Sequence, residues 1–201
     1  MIFDKHLSMD DQVRSVYKQG FYHIKNLLRI RKFLNEGQTN IAAHAFITSK
    51  LDYGNAPLGA PKYQIQKLQF VQNAAARVVT KTGKYEHISE KCKDLNWLPV
   101  AYRVKYKLNV LTWKALHDQA PEYISDLIHE RDHGIDLRMG NSLVLDIPKT
   151  NLKSMGDKAF SVVAPKAWNL LPKELRTNGK LQSFKAGLKS LYIREAYSSL
   201  D

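Results

Sequence analysis

Residues 129–133, His129-Glu130-Arg131-Asp132-His133, carry the spacing that a zinc hydrolase uses. In H-E-x-x-H, one helical turn sets two imidazoles on one face for the metal, and the carboxylate between them acts as general base. That chemistry also needs a helix at this point, a third ligand and a dry shell around the ligands. Arg131 and Asp132 are awkward occupants of a buried metal helix, and Gly134 follows at once. Asp136 and Met139 stand where the extended motif requires Gly and His, and no Glu occurs between His133 and Glu174. The spacing reads as coincidence in a solvated loop, with a zinc hydrolase at His129 and His133 as a remote alternative.

Ser8-Met9-Asp10-Asp11 sets two aspartates side by side, as two-metal polymerases do at a strand turn. A reverse-transcriptase palm has an aromatic residue two places before the first Asp; here Ser8 stands there, and a helical pattern follows. Ser8 and Asp11 fit a helix-capping box better. No phosphate-binding G-x-x-x-x-G-K-[ST] loop occurs, and Ser142, Ser154 and Ser161 lack any nucleophile-elbow context. Lys91 and Lys93 flank Cys92 and would lower its pKa, a weak sign of a nucleophile. The seven His are scattered. The expectation is no catalytic residue, no metal and no cofactor.

The chain has 201 residues, 44% hydrophobic, enough for one large or two small packed domains. Lys and Arg number 31 against 19 acids, a formal charge of +12. Such an excess favours polyanionic partners, nucleic acid first and an anionic membrane surface second. A single Cys excludes an intrachain disulfide and suits a reducing compartment. No apolar run is long enough to span a bilayer, and the first residues lack an apolar signal core. The expected location is intracellular, cytoplasmic or nuclear, and not secreted.

The elements that must position these charges are helical. Tyr63–Lys84, YQIQKLQFVQNAAARVVTKTGK, organises the chain. Ile65, Leu68, Val71, Ala75, Val78 and Val79 recur at the period of a buried helix face, and Gln66, Gln69, Asn73, Arg77 and Lys81 recur opposite. Pro61 marks its start and Gly83 its stop, and Ala74-Ala75-Ala76 leaves a strip for close helix packing. No acid occurs between Asp52 and Glu86. Ile2-Phe3 reads as the end of a strand.

An earlier helix, ending near Leu34 with Gly37 as its stop, has Val13, Val16, Tyr17, Phe21, Ile24, Leu27 and Leu28 on an apolar face. Arg14, Lys18, Lys25, Arg29 and Lys32 lie along a second face, and Arg31 adds charge. Thr39 caps the next helix, and residues 55–61 form a turn-rich connector.

Leu95, Trp97 and Leu98 before Pro99 form a buried corner. A helix from Val100 to His117 follows, with rows Val104, Leu108, Leu111, Ala115 and Tyr102, Tyr106, Val110, Trp113, and Pro121 opens a short one. From Glu130 to Asn141 the chain is polar and loop-like. Leu143–Ile147 is a short strand, which Ala159–Val163 pairs with or follows as a helical turn. Trp168, Leu170, Leu171 and Pro172 make another apolar corner, and Ser183 caps a last helix. The fold class is mainly α, a helical bundle over residues 1–128 followed by a smaller irregular lobe, 129–201, with a short β-hairpin.

Four stretches resemble, in order, the C-terminal region of LINE-type, jockey-like non-LTR retrotransposon polyproteins. They are LDYGNAPLGAPKYQIQKLQFVQNAAARVVTKT, LNWLPVAYRVKYKLNVLTWKALHDQAPEYISDLI, GDKAFSVVAPKAWNLLPKELR and SFKAGLKSLY. IFDKHLSMDDQV and FYHIKNLLRIRKFL resemble the segment just after the reverse-transcriptase palm. The resemblance covers nearly the whole chain. It implies a helical thumb and the region behind it, without the endonuclease or the palm that bears the aromatic-x-Asp-Asp motif. Gly54 departs from the family pattern, where Cys is common, which weakens any inherited metal or thiol role there.

A thumb grips duplex through phosphate contacts, which need cations and amides rather than base readers. The two basic rows, Arg14, Lys18, Lys25, Arg29, Lys32 and Lys62, Lys67, Arg77, Lys81, have that chemistry. The expectation is a non-catalytic remnant of an RNA-directed DNA polymerase that holds RNA or DNA by its backbone, with the missing palm as a further partner and no membrane. The alternative is a structural or protein-interaction helical domain.

Overall fold

The computed structural model describes residues 9–52, 61–131, 143–150 and 156–198. The expectations for Ile2-Phe3, Ser8, Gly54, the connector up to Ala60, His133, the polar run from Asp132, Ser142 and Ser154 lie outside these residues. The protein is mainly α. Helices α1 (Asp10–Ile30), α2 (Glu36–Ala43), α3 (Ser49–Asp52), α4 (Lys62–Thr80), α5 (Ser89–Asp94) and α6 (Val100–Leu116) are followed by α7 (Glu122–Ser125), α8 (Phe160–Asn169), α9 (Lys173–Arg176) and α10 (Leu181–Tyr197). The chain forms two compact units, Met1–Arg103 with Ile193–Asp201, and Val104–Tyr192. The boundary expected after Ile128 falls inside the second of these units.

In the first unit, α1 and α4 lie side by side and run the same way. Three contacts fix the register. Asp10 at the start of α1 accepts from the Tyr63 hydroxyl at 2.7 Å and from Gln64 Nε2 at 3.0 Å, both at the start of α4. Gly20 sits against Val71 at mid-length. Arg31, just past α1, donates from Nε to the Val78 carbonyl and from Nη2 to the Val79 carbonyl, each at 2.9 Å. Its Nη1 donates to the Leu34 carbonyl at 2.7 Å. The buried core joins Val13, Val16, Ile24 and Leu27 of α1 to Leu68, Val71, Ala75, Ala76, Val78 and Val79 of α4. The apolar period read in α4 is thus the buried one, with Ile65 only partly covered.

Gly20 lets the two backbones approach. A Cβ built there would overlap Val71 Cγ1, and Val71 is fully buried with a stiff β-branched side chain. Gly→Ala inside a helix otherwise gains roughly 0.5–1 kcal/mol. Overpacking costs about 1–3 kcal/mol, so Gly20→Ala is expected to destabilise, and a denaturation midpoint above wild type would refute the close approach.

Several helix ends differ from the sequence reading. Helix α1 ends at Ile30 in a 3₁₀ turn, Arg31–Phe33, and Leu34 is extended. Gly37 is not a stop; it lies within α2. The cap of α2 is Asn35, whose Oδ1 accepts from Gln38 N at 2.8 Å while Gln38 Oε1 accepts from Asn35 N at 3.0 Å. Thr39 is buried inside that helix, its hydroxyl donating to the Asn35 carbonyl at 2.6 Å. Helix α4 stops at Lys81, which takes the left-handed conformation at φ 57°, so the turn does not wait for Gly83. A π-helical turn, His44–Thr48, joins α2 to α3. The corner before Pro99 is buried, with Trp97 Nε1 donating to Asn40 Oδ1 at 3.1 Å and the Tyr197 hydroxyl donating to the Trp97 carbonyl at 2.8 Å.

In the second unit, Trp113, Trp168 and Phe184 are buried together; Phe184 lies 6.1 Å from Trp113 and 5.7 Å from Trp168. Each indole finds a carbonyl, Trp113 that of Asn178 at 2.8 Å and Trp168 that of Leu143 at 2.9 Å. Burying an indole without such an acceptor is costly. Leu170 is exposed, so the corner at 168–172 is only partly apolar inside. Ser183 lies inside α10 rather than capping it. The strand expected at Leu143–Ile147 is a single antiparallel bridge, Leu145 to Glu130, and residues 160–163 are helical. The short β-hairpin is not seen among the described residues.

Candidate nucleic-acid interface

Helix geometry turns each residue about 100° from the last. Arg14, Lys18, Lys25 and Arg29 fall within an arc of about 60°, centred about 150° from the buried arc of Val13, Val16, Gly20, Ile24 and Leu27. All four are exposed. Arg14 lies 3.6 Å from Asp11 in an exposed ion pair of little worth. Lys18, Lys25 and Arg29 have no ion-pair partner among the described residues. No acid occurs in the sequence between Asp11 and Glu36, nor anywhere in α4.

The Asp10–Tyr63 bond shows which sides of the two helices border one seam. Tyr17, Phe21 and Leu28 of α1 lie on the Asp10 side, within about 40°. Tyr63, Lys67, Phe70 and Ala74 of α4 lie together within about 60°. The basic arc of α1 adjoins that seam, and Lys67 faces it from α4, its Nζ 5.3 Å from the Tyr63 ring. The fold thus leaves Arg14, Lys18, Lys25 and Arg29 on one exposed side of α1, with Lys67 at the edge of the neighbouring seam on α4.

The remaining sequence candidates behave differently. Lys62 is exposed but lies about 140° around α4 from Lys67. Lys32 is exposed beside α1, 4.8 Å above the Phe33 ring, and Lys81 is exposed past the end of α4. Arg77 is engaged by the fold: its guanidinium donates to the Gly83 carbonyl and, at 2.8 Å, to the Glu86 carbonyl, tying down the loop after α4. Arg31, read only as added charge, is the buried clamp described above. Arg103 pairs with Asp52 through two bonds, Nε to Oδ1 at 2.9 Å and Nη2 to Oδ2 at 2.6 Å. Nothing in residue type separates these three from the solvent-facing cations; only the covered carbonyls and carboxylate do.

The other chemistry read from the sequence finds different settings. His129 lies outside any helix, its carbonyl accepting from Asp146 N at 2.9 Å, so it is not on the helical turn a zinc motif needs. Among the described residues, no group of three His, Cys, Asp or Glu is placed to hold a metal ion. Cys92 is buried beside a recess of about 300 Å³ lined also by Gln69, Asn73, Ser89 and Tyr197. Burial pushes its thiol up to about 11, and the Arg77 charge lowers it only in part, against the lysine effect expected from sequence.

The native state therefore holds the Cys92 proton more tightly than the unfolded chain. The resulting stability is complete below about pH 9 and is lost as pH rises toward 11, by about 2 kcal/mol. Tyr197, also raised by burial, deepens the loss in the alkaline range. Cys92→Ala is expected to flatten the denaturation midpoint between pH 8.5 and 10.5; an unchanged slope would assign the loss to other groups.

Among the described residues, no helix is long and apolar enough to cross a membrane. Comparison with family models, curated proteins and solved structures finds no match to this chain.

Proposed function

We propose that the α1–α4 face grips the sugar-phosphate chain of a nucleic acid without reading its sequence, and that the chain is a non-catalytic remnant of a retrotransposon reverse transcriptase. The observation that carries the binding role is the exposed basic side of α1, Arg14, Lys18, Lys25 and Arg29, with Lys67 exposed across the seam on α4 and acids only at the Asp10 and Asp11 end. Such a face releases counterions from phosphates whatever the base sequence. The origin rests on the ordered phrases that resemble the LINE-type polyprotein. A palm held elsewhere would supply polymerisation.

The test is binding of mixed-sequence DNA duplex across a salt series. Neutralising about 5 phosphates predicts a log-log slope of roughly −4.5. Binding that ignores salt would refute the grip. Incorporation of deoxynucleotides on an RNA template by the pure protein would refute the non-catalytic assignment. A protein-interaction domain is the second reading, favoured by Phe33, Ile41 and Phe46, large apolar side chains all exposed on the first unit. Absence of nucleic-acid binding at low salt would leave that reading standing.

A further inference from the structure

The cationic arc of α1 is bordered by side chains that a purely phosphate-binding surface does not need. Along the seam, Tyr17 and Phe21 are 37% exposed, Tyr63 45%, Leu28 56% and Phe70 65%. The Tyr17 and Phe21 rings lie 4.8 Å apart, one helical turn along α1. The register places Phe70 between the levels of Tyr17 and Phe21, since Gly20 meets Val71. A ligand lying here meets cations on one edge and exposed aromatic side chains on the other.

We infer that the preferred ligand of this face is an unpaired nucleic-acid strand, its phosphates along Arg14, Lys18, Lys25 and Arg29 and its bases stacked on Tyr17, Phe21, Tyr63 and Phe70. The inference rests on the proposed backbone grip and names the ligand class for it. A duplex hides its base faces within its own stack and would leave these rings unused. A single strand offers both a charged and a flat apolar edge, and ring stacking tolerates any base. An anionic membrane also combines charge with an apolar layer, but insertion needs an apolar face free to sink into the acyl boundary. Here the main apolar face of α1 is spent on the core, and the exposed rings sit at a seam between two helices.

The experiment is fluorescence anisotropy of the full chain with a labelled 20-nucleotide oligothymidylate, an oligouridylate and a mixed-sequence DNA duplex at the same salt. The single strands are expected to bind at least tenfold more tightly than the duplex. Phe21→Ala with Phe70→Ala is expected to lower single-strand affinity tenfold or more while leaving duplex affinity and its salt slope unchanged. Phe21→Leu, which keeps apolar bulk but not the ring, is expected to behave like the alanine variant at that position.

Duplex binding equal to or tighter than single-strand binding overturns the inference but leaves the backbone grip intact. Loss of binding to every oligonucleotide sinks both. Full single-strand affinity in the double alanine variant, or recovery by Phe21→Leu, also overturns it, since stacking would then contribute nothing. Co-sedimentation with phosphatidylserine vesicles that is abolished by the same alanines would assign the strip to a membrane instead. Circular dichroism checks that each variant is folded, as substitution at these exposed positions predicts.

Discussion

Reversing Lys18, Lys25, Arg29 and Lys67 to Glu together is expected to lower nucleic-acid affinity at least 100-fold at 0.1 M salt and to bring the salt slope close to −1. The four positions supply most of the shared face, and each change both removes a phosphate contact and adds a repulsion. Net charge falls by eight, from +12 to +4, so the chain stays cationic. Reversing four exposed lysines of the second unit, Lys149, Lys158, Lys173 and Lys180, also gives +4. That control is expected to keep affinity within a few-fold and the slope within about one unit of wild type. Equal losses in the two variants would mean that overall charge, not this face, attracts the ligand. Neither variant should shift the denaturation midpoint much, because exposed substitutions away from caps and cores stay near ±0.5 kcal/mol each.

Arg31→Met should instead damage folding, by about 3–5 kcal/mol in urea unfolding. Its guanidinium satisfies the Val78 and Val79 carbonyls, which belong to the last turn of α4 and have no partner within the helix. The positive charge also sits at the negative end of that helix. Methionine fills much of the volume but leaves those carbonyls unsatisfied in a buried place. Arg31→Lys is expected to recover less than half of the loss, since one ammonium cannot reproduce three bonds from a planar fork. Lys32→Met, one residue on and fully solvent-facing, should fall within about 0.5 kcal/mol of wild type. A shift no larger for Arg31→Met than for Lys32→Met would mean that the clamp carries no stability. On a typical domain stability of roughly 5–15 kcal/mol, the larger value would threaten folding at body temperature.

The contrast between Arg31 and its neighbours marks where sequence reasoning stops. Periodicity found the buried face of α4 because apolar residues there recur at one helical period and nothing competes with that signal. The buried corner at Trp97 and Leu98 is legible on a different ground, large apolar side chains clustered just before Pro99. In α1 the apolar residues span a wider arc than the core can cover, so Tyr17, Phe21 and Leu28 share one row with Val13 and Ile24 in the sequence yet stay exposed. Which part of that arc stays wet depends on where α4 docks, and docking is set by Gly20 and Arg31 through contacts 47 or more residues away in the chain. Local turn signals failed in a related way. Gly37 and Gly83 looked like stops, but Asn35 with Gln38 satisfies a helix start more fully, and Lys81 tolerates the left-handed turn. The exposed rows Arg14, Lys18, Lys25 and Arg29 were legible because their spacing alone puts them on one side. That Lys67 borders the seam and Lys62 does not depends on where the two helices dock, which spacing along one helix does not carry.

The shared direction of α1 and α4 has a kinetic meaning. Like-directed neighbours cannot be joined by a tight hairpin, and 31 residues separate Ile30 from Lys62. The contacts that hold the pair span 47 to 54 positions, so ordering entropy is spent before they form. Neither helix, synthesised as a peptide, contains the surface: each would carry part of the charge and one wall of the seam. On a ribosome the binding face is completed only after Thr80 has emerged and the intervening chain has folded back.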